Sequence, residues 1–148
     1  MKNDKSEFTE AVWIMKKIIC AALCVLIVFG LNACGGNVNE VNTHNVKSEM
    51  YSEEDIRTAV DTIKKEFKSD WAGCTLTEIY YAGDDSSKAY QDWADRNNAD
   101  EVIVLLSSFD VDSSGGNGSL NPNSTYTDWN WILVRTNGGK WQHVDHGY

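Results

Sequence analysis

Apolar residues change their spacing several times along this chain, and each change predicts an element. Residues 18–30 carry no charge and are rich in Ile, Leu, Val, Ala and Cys. Residues 35–49 are polar, Asn-rich and without periodicity, which predicts a flexible segment. A helical stripe follows: Ile56, Ala59, Val60, Ile63 and Phe67. Ser52 stands at its N-cap and Asp55 at the third helical position, a capping-box spacing, with Tyr51 and Ile56 at the staple positions. Residues 74–81 alternate as a strand, with Thr75, Thr77, Ile79 and Tyr81 on one side and Leu76, Glu78 and Tyr80 on the other. After a turn at 83–85, Tyr90, Trp93 and Ala94 mark a second, shorter helix over about 87–97. Residues 102–106 are continuously apolar, so the strand at 101–111 is central and covered on both faces. A Ser-, Gly- and Asn-rich loop at 112–124 precedes an aromatic strand at 125–136. Asn137-Gly138-Gly139 is a hairpin signal, and 140–146 is the returning strand. The order predicts an α+β domain: a mainly antiparallel sheet with one long and one short helix packed on one face.

Composition narrows this picture. The chain has 148 residues, enough for one domain. Its formal net charge is −9, and an acidic chain lacks the clustered cations that nucleic acid requires. One Pro and 24% charged residues do not suit a collagen-like or strongly disordered polymer.

The N-terminal third reads as a targeting segment. Met15-Lys16-Lys17, the apolar run and Leu31-Asn32-Ala33-Cys34-Gly35 have the order of a secretory signal and cleavage site. The run of 13 residues is short for a membrane span, which needs about 20. Leu-Asn-Ala-Cys resembles the bacterial lipobox. That resemblance implies cleavage after residue 33 and a diacylated Cys34 anchored at the outer, extracytoplasmic face of a bacterial membrane; two or more acyl chains hold where one does not. Residues 1–33 are then the signal region, 34–49 a lipid-anchored flexible tether and 50–148 the domain. Asp4, Glu7 and Glu10 do not suit a basic leader, and a start at Met15 in place of Met1 would account for them. Cleavage leaves nine Lys and Arg against nineteen Asp and Glu, a net charge of −10. It also leaves Cys74 as the only thiol besides Cys34, read as a small buried hydrophobe.

A second resemblance rests on the C-terminal half. Phe109-Asp110-Val111-Asp112-Ser113-Ser114-Gly115-Gly116, Asn121-Pro122-Asn123-Ser124-Thr125-Tyr126, Trp131-Ile132-Leu133-Val134-Arg135 and the ending Trp141 to Tyr148 resemble a family of small bacterial lipoproteins of unknown function. That family is grouped with cystatin-like and nuclear-transport-factor-2-like folds. The resemblance covers about residues 50–148 and implies a curled sheet around a helix, enclosing a cone-shaped cavity. It implies no activity, because fold does not choose function.

Candidate chemistry is sparse. His143 and Asp145 lie two apart on a strand, so one face would hold an imidazole and a carboxylate able to abstract a proton. His146 completes that cluster. A two-residue turn would set Arg135 opposite Lys140, Ile132 opposite His143 and Asn130 opposite Asp145. A three-residue turn sets Arg135 opposite Trp141, Leu133 opposite His143 and Trp131 opposite Asp145. The second register avoids opposed cations and gives Arg135 a stacking partner, so it is preferred. It places Trp131, Leu133, Trp141, His143 and Asp145 on one face. Tyr126, Trp129, Trp131 and Trp141 are the aromatic candidates for an apolar ligand pocket; Tyr126 and Trp129 suit a surface role best, since most large aromatics belong to the core. Asp110, Asp112 and Asn117 fall short of a calcium ligand set and read as a turn, and no motif calls for a metal or cofactor. Two readings stand: a non-catalytic envelope lipoprotein binding a small apolar ligand or an envelope protein, and an isomerase- or dehydratase-like enzyme using His143 and Asp145 in the cone.

Overall fold

The computed structural model describes residues 35–148. The signal region and Cys34 lie outside the described residues. The elements are α1 (Glu53–Asp70), β1 (Cys74–Tyr81), α2 (Asp84–Ala89), α3 (Gln91–Arg96), β2 (Glu101–Val111), β3 (Thr125–Arg135) and β4 (Gln142–Gly147). The four strands form one antiparallel meander in the order β1-β2-β3-β4. Among the described residues no helix is long and apolar enough to cross a membrane.

α1 forms where its caps and stripe place it. The Ser52 hydroxyl accepts from the Asp55 amide, and the Asp55 carboxylate accepts from the Ser52 amide. Ala59, Val60, Ile63 and Phe67 bury its stripe against one face of the sheet, where Leu76, Ile79, Leu105, Phe109, Trp131 and Leu133 meet it. The short helical segment is two helices, α2 and α3, and they cover the opposite face: Ala94 packs with Val102, Ile132 and Val134. The helices therefore sandwich the sheet in place of sharing one face. Val102 to Leu105 are fully buried because β2 is covered on both sides.

The sheet curls through three bulges, each of which increases local twist. Thr77 is the extra residue on β1, so Leu76 and Ile79 share the α1 face, not the plain alternation that period 2 predicts. β3 holds an extra residue between Tyr126 and Trp129, where Asp128 adopts φ 54°. On β4 the register slips between His143 and Asp145. The three-residue turn is realised around Asn137 and Gly138, both at positive φ: Leu133 pairs with His143, and the Arg135 guanidinium lies 4.2 Å from the Trp141 ring centre. Past the bulge, however, Asp145 pairs with Ile132 and His146 takes its place opposite Trp131.

The expected flexible tether is ordered from residue 35 onward. It runs beside β1 and covers its outer edge: Asn37 and Asn42 donate to the carbonyls of Cys74 and Thr77, and their own carbonyls accept from Leu76 and Ile79. Val38, Val41 and Val46 pack on the core. At its far end Asp84 accepts from the Ser48 hydroxyl, the Glu49 amide and the Tyr81 hydroxyl, and the Ser48 bond leads the causes that hold its carboxyl below the usual range. An unpaired strand edge is a liability, and this polar strap, bonding mostly through its backbone, removes it.

Candidate functional site

Aromatic side chains fill the space between the C-terminal half of α1 and the sheet, part of where the cone-shaped cavity was expected; a cavity of about 730 Å³ opens beside them between α1, the strap and β1, lined by Ile56, Val60, Ile79 and Tyr80. Phe67 stacks on Trp71, and Phe109, Trp131, Trp129 and Tyr126 continue the cluster. Two of the four aromatic candidates are thereby core. Trp131 is fully buried and its indole N–H donates to the Ser107 hydroxyl at 2.8 Å. Trp141 is buried beside Tyr51 and donates to the Asp55 carbonyl at 3.0 Å. Neither has a face left for a ligand. Tyr126 is half-buried, stacked on Phe109, and its hydroxyl accepts from the Asn121 amide.

Trp129 alone of the four lines an open pocket. The pocket, about 500 Å³, lies at the C-terminal end of α1 between Trp71, Leu120, Trp129 and His146, with Glu66 and Asp70 at its acidic side. The Trp129 indole N–H is buried and has no acceptor among the described residues. Such a group costs free energy until something accepts its hydrogen bond. The loop at 112–124 shapes the remaining wall. It is ordered: Gly115, Gly116, Asn117 and Gly118 all have positive φ, a left-handed turn that Gly and Asn alone adopt readily. The Leu120 amide donates back to the Gly115 carbonyl at 2.9 Å, which sets Leu120 against the core.

The acid–base cluster differs from the expected pair. Because of the β4 bulge Asp145 is exposed on the Ile132 side, and its carboxylate has no hydrogen-bond or ion-pair partner among the described residues. Its carbonyl instead accepts from His143 Nε2 at 2.9 Å. The partner of His143 is Glu66 on α1, with Oε1 2.5 Å from Nδ1. His146 Nδ1 stands 3.3 Å from His143 Nε2, and the two rings stack at 5.1 Å. Both the Glu66 carboxylate and the Asp145 carbonyl only accept, so His143 donates from both nitrogens when both bonds form. His146 Nδ1 then accepts a share of the Nε2 proton, which leaves its Nε2–H as a donor. Burial, followed by the neighbouring His143, holds His146 below the usual imidazole range. Glu66 had no signal in the sequence beyond its place on α1 one residue before Phe67.

The remaining candidates are spent locally. Asp110 accepts from the Thr125 hydroxyl and Asp112 from the Ser114 amide and hydroxyl. Cys74 is buried, and burial pushes its thiol up, with Asp112 adding to the effect. Among the described residues no group of three or more His, Cys, Asp and Glu is arranged to hold a metal ion. Comparison with protein-family models, with curated proteins and with solved structures finds no match for this chain.

Proposed function

We propose that this is a cell-envelope lipoprotein, anchored through Cys34, whose domain binds a small, flat, largely apolar ligand in the pocket between Trp71 and Trp129. One observation carries the binding reading: two indoles, one with a buried N–H that has no acceptor among the described residues, wall an open pocket. The Trp rings supply contact area, and Glu66, Asp70 and His146 supply the few polar groups that orient a ligand. The test uses N-phenyl-1-naphthylamine, a neutral aromatic amine whose fluorescence rises on leaving water. Saturable binding to the chain, lost in Leu120→Trp, which fills the pocket, and weakened in Trp129→Phe, supports the reading. Binding that both variants leave unchanged refutes it.

The second reading, an isomerase- or dehydratase-like enzyme, draws on the Glu66–His143–His146 chain in place of His143 and Asp145. A carboxylate that orients one imidazole, which in turn hands a proton to a second beside a pocket, is acid–base equipment. Glu66→Gln separates the two readings. Under binding it leaves the dye affinity within about threefold, the effect of one weakened polar contact; under catalysis it removes turnover.

A further inference from the structure

The strap begins at one particular corner of the domain. A Cβ on Gly35 would overlap the Lys68 carbonyl oxygen, and one on Gly36 would stand 2.5 Å from the Phe67 carbonyl oxygen. The Gly36 amide donates to that Phe67 carbonyl at 3.1 Å. Both glycines thus press against the last turn of α1, one residue after the proposed lipid attachment. No slack chain separates the two. If lipid holds Cys34, the C-terminal end of α1 sits at the bilayer.

Charge points the same way. Of the nine Lys and Arg that follow residue 33, three lie within five residues of each other at this end: Lys64, Lys65 and Lys68. Lys65 and Lys68 are exposed, Lys64 half-exposed, and none of the three is ion-paired among the described residues. The three arginines and Lys88 are committed elsewhere, Arg57 to Glu54 and Asp61, Lys88 to Asp85, Arg96 to Asp92, Arg135 to Asp55 and Glu101, while Lys47 and Lys140, also without an ion pair among the described residues, stand singly along the chain. The acidic first turn of α1, with Glu53, Glu54 and Asp55, is at the other end of an 18-residue helix, roughly 27 Å away at 1.5 Å per residue.

We infer that the C-terminal end of α1, with Lys64, Lys65 and Lys68, is a docking surface for an anionic phospholipid bilayer and holds the domain upright on the membrane. This rests on anchoring through Cys34. The orientation puts the acidic first turn of α1 away from anionic headgroups and Lys64, Lys65 and Lys68 against them, with exposed Asp70 as the one opposing charge of the last turn that has no ion pair among the described residues. It also sets the Trp71–Trp129 pocket, which shares the last turn of α1, at the membrane-facing end. A ligand entering that pocket would then be drawn from the bilayer surface.

The experiment uses the full lipidated chain in vesicles of phosphatidylethanolamine and phosphatidylglycerol, with a nitroxide on Ser69→Cys or on Thr136→Cys. Ser69 is exposed at the α1 C-terminus, Thr136 is exposed at the opposite end beside the β3–β4 turn, and Cys74 is buried from the reagent. Collision with a nickel chelate carried on lipid headgroups reports depth. At about 1 kcal/mol per charge near an anionic surface, three lysines less the opposing Asp70 bias orientation by roughly thirtyfold. The Ser69 label is therefore expected to collide and the Thr136 label not, with the contrast reduced in the triple variant Lys64→Glu, Lys65→Glu, Lys68→Glu, in which the short link from Cys34 acts alone. Fatty-acid incorporation is measured in the same samples, with Cys34→Ala as its control. Incorporation with equal collision at both labels, or a contrast that the triple variant leaves undiminished, overturns the docking surface alone. No incorporation overturns the anchor and the docking surface with it.

Discussion

Asp55 shows how many roles one side chain takes in a small domain. Its carboxylate accepts from the Ser52 amide and hydroxyl and from Arg135 Nη1 at 2.5 Å, while its carbonyl accepts from Trp141. Arg135 is 10% exposed, bonds Glu101 as well, and lies over Trp141. The helix start, the central strand and the hairpin therefore meet at one ion-paired knot. The Ser52 hydroxyl first, and Arg135 second, hold the Asp55 carboxyl down to about 2. A carboxyl depressed in the folded state contributes stability above its unfolded value near 3.9 and loses it as pH falls toward 2. Asp55→Asn is expected to cost about 1–3 kcal/mol at pH 7, since the remaining donors bond a charge no longer present. Urea unfolding at pH 7, 4 and 2 checks this: the gap between wild type and variant should shrink between pH 4 and 2. A constant gap would show that the charge is immaterial.

At the scale of elements, periodicity was a good guide where one face alone is buried and a poor one where the chain departs from regular geometry. The capping box, the stripe of α1, the central β2 and the three-residue hairpin are all local patterns, legible from Ser52, Asp55, Ile63, Val102–Leu106 and Asn137-Gly138-Gly139. The bulges are not local. A bulge at Val144 depends on the packing of β4 against β3, and it exchanged Asp145 for His146 at the site. Glu66 reaches His143 across 77 positions of sequence, and only the fold reveals that distance. The strap escaped for a different reason: its order comes from backbone bonds and three scattered valines, neither of which makes a period. Gly35→Ala tests how it is held. The added methyl meets the Lys68 carbonyl, and a backbone clash of this kind costs about 1–3 kcal/mol. Hydrogen exchange at the Leu76 amide, which donates to Asn37, should quicken in the variant, and more than at Ile79, which donates further along to Asn42. Unchanged exchange at both amides would mean that the strap docks without the glycine contact.

For the whole molecule, net charge and aromatic packing pull in opposite directions. Residues 35–148 carry a net charge of −10 and repel one another, and that repulsion acts over distances that salt screens. The aromatic cluster between α1 and the sheet is neutral, and its contribution does not weaken with salt. The ion pairs divide by exposure. Those of Arg57 and Arg96 are more than half exposed and contribute little, whereas the Arg135 knot is largely shielded. Screening therefore removes more repulsion than attraction. The thermal midpoint of residues 35–148 should rise between low salt and about 0.15 M sodium chloride, where the Debye length falls to about 8 Å. A midpoint that falls would show that exposed pairs outweigh the net charge. The triple Lys→Glu variant at 64, 65 and 68 sharpens the comparison, because it makes the chain more acidic by six charges. Its midpoint should start lower and climb more steeply with salt. A variant that instead tracks the parent at every salt concentration would place the repulsion elsewhere on the surface than at the end of α1.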